Sequence, residues 1–306
     1  MFVSKCCVRF AMRSWVAVVL AVAASASGLG AVSAAPAQGK QVVVLGDSFS
    51  ANAWVVDSEA EDCAHGSTSW PTRLGAALGV AGTADFLDVS CPGASIVTPP
   101  TRTAASEAEH AARAGAFGPR TELVALQFGL NDRWGENTTT MWYALQQCVL
   151  DLIRGCGAEA AVPDRGLDTR EVTGERYAER LRSVVTYVKY YAPNARIVLV
   201  GYPELFGTGQ DSVCFDAFGA ARFTQPRGRA AINAVNRLDQ AQREAARLLA
   251  VDFYDARAAT AGHGLCSVES WINDYQDPRE PGAIPFHPTP HGDEVVAAGI
   301  YTQAHR

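Results

Sequence analysis

Lysine is scarce in this chain of 306 residues, which contains only Lys5, Lys40 and Lys189. The chain contains 26 lysines and arginines and 32 acidic residues, which gives a formal net charge of -6. Because no basic stripe is visible, a nucleic-acid partner is not expected. The absence of collagen-like or heptad repeats and of many long apolar runs excludes a collagen, a coiled coil and a multi-span membrane protein. With 48% hydrophobic residues, the composition is that of a globular protein with a sizeable core.

The first 34 residues have the pattern of a secretory signal peptide. Three cationic residues occur before position 14, and an apolar run extends from residue 15 to residue 24. Small residues then lead to Ala34, after which we expect cleavage. The apolar run is well short of the roughly 20 residues that a transmembrane helix needs, so we favour export over anchoring. We therefore expect a secreted protein with a single domain over residues 35–306.

The cysteines fit this interpretation. Cys6 and Cys7 lie in the predicted signal peptide. The other six are Cys63, Cys91, Cys148, Cys156, Cys214 and Cys266. An even number in an exported chain favours disulfides over a metal or redox site, and no CxxC pair occurs. Many pairings are possible by sequence alone, and pairing in sequence order is the simplest of them.

Strand-like and helix-like segments alternate along the chain. The predicted strands are 41–45, 84–89, 122–128, 196–200 and 251–254, and the predicted helices are 70–78, 104–114, 172–191, 229–249 and 295–304. This alternation predicts an α/β fold, with a parallel sheet covered by helices on both faces. Two stretches, 133–170 and 202–225, have little periodicity and contain cysteines. We expect them to be disulfide-pinned insertions near the carboxyl edge of the sheet, where such folds bind ligands.

Short polar motifs follow three of the predicted strands. Ser48 comes directly after the first strand, at the start of a helical turn whose N–H groups favour negative charge. An N-cap serine is an equally common use of this position. Gly93 and Asn131 follow the next two strands, where a backbone N–H and a side-chain amide could donate to an oxyanion. The alternative for Asn131 is a plain Asn-Asp turn.

A histidine precedes the last predicted helix. His287 stands between an aromatic residue and a proline on a loop, which suits a general base, although it could also be an ordinary surface histidine. A zinc site made by His287 and His291 is not expected, because Pro288 and Pro290 exclude a helix between them. All four motifs can converge on one cleft at the edge of the sheet.

The order and spacing of these motifs resemble those of the GDSL, or SGNH, hydrolase family, whose four blocks supply Ser, Gly, Asn and His. The resemblance implies a three-layer α/β/α flavodoxin-like fold with a central, mostly parallel five-stranded sheet. It also implies that Ser48 is the nucleophile and His287 the general base. The oxyanion hole would then consist of the N–H groups of Ser48 and Gly93 and the amide of Asn131.

The cysteines and two further features resemble the secreted bacterial lipase and esterase branch of this family. These features are Trp70-Pro71 after the first of the six cysteines and Gly292 five residues after His287. Members of this branch have three disulfides that pair in order. The implied pairs here are Cys63–Cys91, Cys148–Cys156 and Cys214–Cys266.

The chain departs from the family pattern beside the histidine. Many members have an aspartate three residues before it, and Ile284 occupies that position here. We expect the backbone carbonyl of Ile284 to orient His287, which gives a catalytic dyad rather than a triad. Asp274, Asp277 and Glu280 lie upstream and are the alternative orienting groups.

The resemblance implies hydrolysis of carboxylic esters, fatty acyl esters above all, through an acyl-enzyme and with no cofactor or metal. The substrate would be a small-molecule or lipid ester, and we expect a monomer with no membrane span. The alternatives are a carbohydrate acetyl esterase or an acyltransferase of the same family, and a non-catalytic secreted binding protein on the same fold. An α/β-hydrolase is not expected, because no GxSxG motif occurs.

Overall fold

Runs of Val, Leu and Ile form strands that are buried on both faces, as expected for a parallel sheet between helices. The computed structural model describes residues 38–54, 62–100, 102–207 and 209–306, so the predicted signal peptide lies outside the described residues. The strands are β1 (Val42–Gly46), β2 (Phe86–Asp88), β3 (Leu123–Gln127), β4 (Arg196–Val200), β5 (Val213–Ala217), β6 (Ala221–Gln225) and β7 (Asp252–Tyr254). The main sheet has the order β2-β1-β3-β4-β7, and every neighbouring pair in it is parallel. Strands β5 and β6 form a separate antiparallel hairpin.

Side-chain caps define where most of the helices begin. The helices are α1 (Ser48–Ala51), α2 (Trp70–Ala77), α3 (Ala104–Arg113), α4 (Met141–Leu150), α5 (Gly174–Tyr191), α6 (Arg229–Leu249), α7 (Ala256–Ala259) and α8 (Pro290–Ala304), with short 3-10 turns at Ala158–Ala160 and Pro163–Arg165. The capping side chains are those of Asp47, Ser69, Thr103, Thr140, Thr173, Asp255 and Thr289. Among the described residues, no helix is long and apolar enough to cross a bilayer.

Successive strand residues face opposite sides of the sheet and enter two different cores. Val43 and Leu45 of β1 pack in the larger core, which includes α3, α5 and α6. Val42 and Val44 pack in the smaller core, which includes α2 and α8. The predicted three-layer α/β/α arrangement with a five-stranded sheet is therefore confirmed, and the sheet is parallel throughout.

The two stretches without periodicity contain ordered elements that the sequence analysis did not predict. The first includes α4, whose apolar residues spread around the helix because one side packs in the core while another lines a cavity. The second includes the β5–β6 hairpin. Helix α8 also begins at Pro290 rather than at residue 295, because Thr289 caps it well before its apolar residues start. The amphipathic pattern alone could not reveal that first turn.

The three disulfides pair as the family resemblance implies. They join Cys63 to Cys91, Cys148 to Cys156 and Cys214 to Cys266. The first ties the segment before α2 to the loop after β2. The second closes the turn after α4, and the third ties the hairpin to the loop after α7. All three thus fasten segments near the carboxyl edge of the sheet.

Candidate active site

The hydroxyl of Ser48 and the imidazole of His287 meet at the carboxyl edge of the sheet. Ser48 Oγ lies 2.8 Å from His287 Nε2, although 239 positions separate the two residues in the sequence. Ser48 opens α1 directly after β1, and His287 stands three residues before α8. A serine hydroxyl that donates to an unprotonated imidazole nitrogen has the geometry of a nucleophile beside its base.

The turn that presents Ser48 is held by neighbours of the same motif. The carboxylate of Asp47 caps α1 by accepting the N–H of Phe49 at 2.9 Å, and its second oxygen accepts the hydroxyl of Tyr202 at 2.5 Å. Burial raises the pKa of Asp47 to about 7. Glycine at position 46 leaves room for the buried Ser50, because a Cβ there would lie only 2.4 Å from Ser50 Oγ. The position of Ser48 is therefore set by the cap and by the close packing of this turn.

His287 is enclosed by aromatic side chains and is only 2% exposed. Its ring stacks on Phe49 with 4.4 Å between ring centroids, and the Trp142 ring approaches it edge-on at 5.5 Å. Burial disfavours the charged imidazolium and lowers the pKa of His287 from 6.5 to about 4, while the hydrogen bond to a backbone carbonyl acts in the opposite direction. The imidazole is therefore neutral and able to accept a proton at neutral pH.

A backbone carbonyl orients the imidazole, but it belongs to Pro285. His287 Nδ1 lies 2.9 Å from Pro285 O, so this nitrogen carries the proton and Nε2 faces Ser48. The expectation that Ile284 supplies this carbonyl is wrong. Phe286 has a φ of +65°, and this left-handed residue turns the chain so that the carbonyl two residues before the histidine faces the ring.

The upstream carboxylates are engaged elsewhere. Asp277 accepts hydrogen bonds from Arg279 Nε at 3.0 Å, and Asp274 accepts the N–H of Asp216 at 2.9 Å. No hydrogen bond among the described residues joins Asp274, Asp277 or Glu280 to the histidine. The orienting group is therefore a carbonyl and not a carboxylate.

This geometry predicts that Asp277→Asn has little effect on catalysis. We expect kcat on a p-nitrophenyl ester to stay within about threefold of wild type, whereas loss of a carboxylate that orients a catalytic histidine costs a factor of about 10⁴. Asp274→Asn should behave in the same way. The melting temperature of each variant, measured by thermal unfolding, would show whether a lost contact with Arg279 destabilises the fold. A fall in kcat of a thousandfold at unchanged folding would mean that a carboxylate reaches the histidine in solution.

Asn131 and Gly93 line the same cavity as Ser48 and His287. Asn131 Nδ2 donates one hydrogen to Ala94 O at 3.1 Å, which fixes the amide and leaves its other hydrogen for a ligand. Gly93 has a φ of +82°, a conformation that favours glycine. The structure thus brings all four predicted site residues to one cleft.

Asp132 joins the two loops that carry Gly93 and Asn131. This buried carboxylate accepts the N–H of Ile96 at 2.8 Å and the N–H of Val97 at 3.2 Å. It also pairs with Arg180 Nη1 at 3.2 Å. The sequence analysis missed this role, although the position of Asp132 directly after Asn131 was a signal that could have revealed it.

A cavity of about 880 Å³ opens beside Ser48 and is lined mainly by apolar side chains. Its walls come largely from the two elements that the sequence did not predict. Leu145 and Val149 of α4 form part of one wall, and Phe215 and Phe223 of the hairpin form part of another. The cleft can therefore hold an elongated apolar group next to a nucleophilic hydroxyl.

Known proteins match most of this chain in sequence and in fold. The model of a family described as GDSL-like lipase/acylhydrolase matches residues 44–295. "Lipase 1" of Streptomyces coelicolor is 30% identical over 261 residues, which cover 83% of this chain and 84% of that protein. The crystal structure of phospholipase A1 from Streptomyces albidoflavus has a TM-score of 0.61 at 23% identity, covering 86% of this chain and 99% of the other. The crystal structure of an extracellular lipase from Streptomyces rimosus has a TM-score of 0.59, also at 23% identity and with the same coverage.

Proposed function

This chain belongs to the GDSL-like lipase/acylhydrolase family, and we propose that it is a secreted serine hydrolase that cleaves carboxylic esters of fatty acids. The observation that carries the proposal is the hydrogen bond between Ser48 Oγ and His287 Nε2 beside an apolar cavity. It provides a nucleophile, a base and a space for an acyl chain in one place.

In the proposed reaction, His287 accepts the proton of Ser48 while the serine oxygen attacks the ester carbonyl. The imidazolium then gives this proton to the departing alcohol, and an acyl-enzyme remains. Water, activated by the same imidazole, releases the acid and restores the serine. The Pro285 carbonyl keeps Nδ1 protonated and oriented throughout, so a dyad performs these steps.

The oxyanion of the tetrahedral intermediate would lie among three donors. These are the N–H groups of Ser48 and Gly93 and the amide of Asn131. Ser48 N stands in the first turn of α1, where a backbone N–H has no acceptor within the helix. Asp132 supports the other two donors by holding their loops together. Donors fixed before the reaction starts need no reorganisation when the negative charge develops.

The lining of the cavity favours fatty acyl esters over acetylated sugars. A carbohydrate needs hydrogen-bonding groups along its binding site, whereas aromatic and aliphatic side chains such as Trp142, Leu145 and Phe215 dominate here. Two of the similar proteins are named lipase and phospholipase A1, which agrees with this preference. Deacetylation of carbohydrates is the second candidate, and acyl transfer from the same acyl-enzyme is the third.

We also propose that the protein is exported from the cell. Residues 1–34 would act as the signal peptide, and residues 35–306 would form one hydrolase domain, of which the family model matches the greater part. Three disulfides suit an oxidising compartment outside the cytosol. Expression with secretion, followed by N-terminal sequencing of the exported protein, tests cleavage after Ala34.

The low pKa of His287 predicts activity far into the acid range. The base must be neutral to accept the serine proton, so kcat/KM should stay constant as the pH falls and be lost only as the pH passes below about 4. Initial rates on a soluble short-chain ester between pH 3.5 and pH 8 provide the measurement, with circular dichroism at each pH to confirm folding. Because Asp47 beside Ser48 has a pKa of about 7, an acid limb near 6.5 would contradict the enclosed imidazole if it persists in Asp47→Asn.

A fluorophosphonate probe tests the nucleophile directly. The folded protein should become labelled at Ser48 with one equivalent, as shown by intact mass and peptide mapping, and Ser48→Ala should remain unlabelled. No labelling of the wild-type protein would overturn the proposed serine hydrolase and favour a binding protein on the same fold.

Acyl chain length separates the first two candidate functions. A p-nitrophenyl ester of a long fatty acid, such as palmitate, should be hydrolysed with a higher kcat/KM than the acetate, because the cavity buries its methylene groups. A strong preference for acetate, with release of acetate from acetylated polysaccharide, would instead favour the carbohydrate esterase.

A further inference from the structure

Asn52 stands at the end of the short helix that carries the serine. Its backbone N–H donates to Ser48 O at 2.8 Å and so closes α1. The residue has a φ of +39°, in the left-handed region that glycine adopts most easily and asparagine more often than most other residues. Glycine would therefore suit this backbone at least as well, and what asparagine adds is its side chain.

The side-chain amide of Asn52 reaches the loop that carries the histidine. Its Nδ2 donates to Pro288 O at 3.0 Å and to Asp293 Oδ2 at 2.6 Å, so both hydrogens of the amide are used. Pro288 directly follows His287, and Asp293 belongs to the first turn of α8. One residue thus bonds to the backbone of Ser48 and to the neighbour of His287. We call the side chains of Asn52 and Asp293, together with the Pro288 carbonyl, the Asn52 bridge.

The histidine loop is held on its other side by Asn273. The N–H of Asn273 donates to His287 O at 2.8 Å, and its carbonyl accepts the N–H of Phe286 at 2.7 Å. Its side-chain Nδ2 donates to Pro288 O at 3.0 Å. These contacts fix the loop to the segment around Asn273, whereas the Asn52 bridge joins it to α1.

Asp293 is the buried end of the Asn52 bridge. Its side chain is fully enclosed, and burial raises its pKa well above the usual range, while the hydrogen bond from Asn52 acts in the opposite direction. Oδ2 can accept the amide hydrogen whether the group is ionised or carries a proton on its other oxygen. The bridge can therefore form in both protonation states.

We propose that Asn52 is a positioning residue, which holds the histidine loop against α1 so that His287 Nε2 stays within hydrogen-bond distance of Ser48 Oγ. This inference rests on the proposed function, in which a proton passes between those two atoms. The base must stay within reach of the hydroxyl, and a displacement of about 1 Å can cost a factor of about 10² in rate. A residue that only capped α1 would not affect this step.

Asn52→Gly tests the proposal, because glycine keeps the left-handed backbone and removes the amide. We expect kcat on p-nitrophenyl butyrate to fall about 10- to 100-fold, with KM within about threefold of wild type. The rate of labelling by a fluorophosphonate should fall by a similar factor, since this reaction needs the same serine and base but no ester substrate. A kcat within about threefold of wild type would overturn the proposal.

Asn137→Ala is the matched control. Asn137 Nδ2 donates to Asp168 O at 3.0 Å and its side-chain oxygen accepts the N–H of Asp168 at 3.1 Å, so alanine here also removes two side-chain hydrogen bonds. Asn137 is buried and does not line the cavity beside Ser48. Its loss should lower the melting temperature and leave kcat within about threefold of wild type. An equal fall in kcat in this control and in Asn52→Gly would indicate a general loss of packing and refute a positioning role.

Substitutions of Asp293 test the bridge from its other end. Asp293→Asn keeps an oxygen that can accept the Asn52 amide, so kcat should stay within about threefold of wild type, whereas Asp293→Ala should lower it about tenfold. Because the two residues act through one hydrogen bond, Asn52→Gly combined with Asp293→Ala should cost no more than Asn52→Gly alone. Losses that multiply in the double variant would refute the bridge.

A spectroscopic measurement separates this inference from the proposed function. The nitrogen chemical shift of His287 Nε2, measured by NMR, reports whether this atom accepts a hydrogen bond, even in a protein that hydrolyses no ester. The shift should move towards that of an unbonded imidazole nitrogen in Asn52→Gly and stay at its wild-type value in Asn137→Ala. If the shift moves but the wild-type protein is neither active nor labelled, the hydrolase is refuted and the positioning role stands. An unchanged shift in an active Asn52→Gly protein refutes the positioning role alone.

Discussion

Replacing Ser48 by alanine should lower kcat on p-nitrophenyl butyrate by about a millionfold, the scale found when a nucleophilic serine is removed from a serine hydrolase. The structure explains the size of this effect. His287, the proposed base, accepts a hydrogen bond from this hydroxyl at 2.8 Å, and alanine leaves it with no proton to take. Initial rates with purified protein, corrected for spontaneous hydrolysis, provide the measurement.

Ser50→Ala is the matched control for this experiment. Ser50 stands on the same short helix, is fully buried and donates its hydroxyl to Gln127 Oε1 at 2.9 Å. Its loss should lower stability by about 1 kcal/mol and change kcat by less than about tenfold. A Ser48→Ala protein that retains a tenth of the wild-type kcat would refute the role of this hydroxyl as nucleophile.

Asn131→Ala should produce the second largest effect, a decrease in kcat of about 10²–10³. The amide is fixed by its bond to Ala94 O, and we propose that its remaining hydrogen meets the oxyanion. The loss appears in kcat more than in KM, because the charge that needs this donor develops only in the transition state. Steady-state kinetics on p-nitrophenyl butyrate separate the two parameters.

Asn194→Ala is the control for this variant, because it removes the same kind of hydrogen bond away from the site. Asn194 Nδ2 donates to Pro119 O at 2.9 Å in the loop before β4, at the other edge of the sheet. Asn194→Ala and Asn131→Ala should each cost about 1 kcal/mol in the free energy of unfolding, measured in urea. Only Asn131→Ala should lower kcat. A decrease of less than about tenfold in Asn131→Ala would remove this amide from the proposed oxyanion hole.

Much of the fold was predictable from local patterns. Short β-branched and aliphatic runs such as Val42–Gly46 and Arg196–Val200 favour buried strands of a covered sheet. The long helix Arg229–Leu249 has a clear apolar side and was predicted with its observed bounds. Helix α4 was not predictable in this way, because its apolar residues serve the core on one side and the cavity on another.

Part of the site was also predictable from the sequence, and part of it was not. Ser48, Gly93, Asn131 and His287 were predicted because their motifs, which follow strand ends or precede a helix, resemble in order and spacing the four blocks of the GDSL family. The carbonyl that orients the histidine was assigned to the wrong residue, because the left-handed φ at Phe286 leaves no mark in the sequence. The walls of the cavity could not be predicted from the sequence either, because residues that are distant in the chain form them.

The shared anchor at Asp132 has a consequence for exchanging parts between related proteins. One buried carboxylate fixes the loop after β2 and the turn after β3, so these two segments form a single structural unit. A chimera could take residues 91–100 from a relative and keep residues 129–133 of this chain. Its two contacting loops would then come from different proteins and would not fit each other. Recombination that moves both segments together preserves the unit, and so does recombination that moves neither.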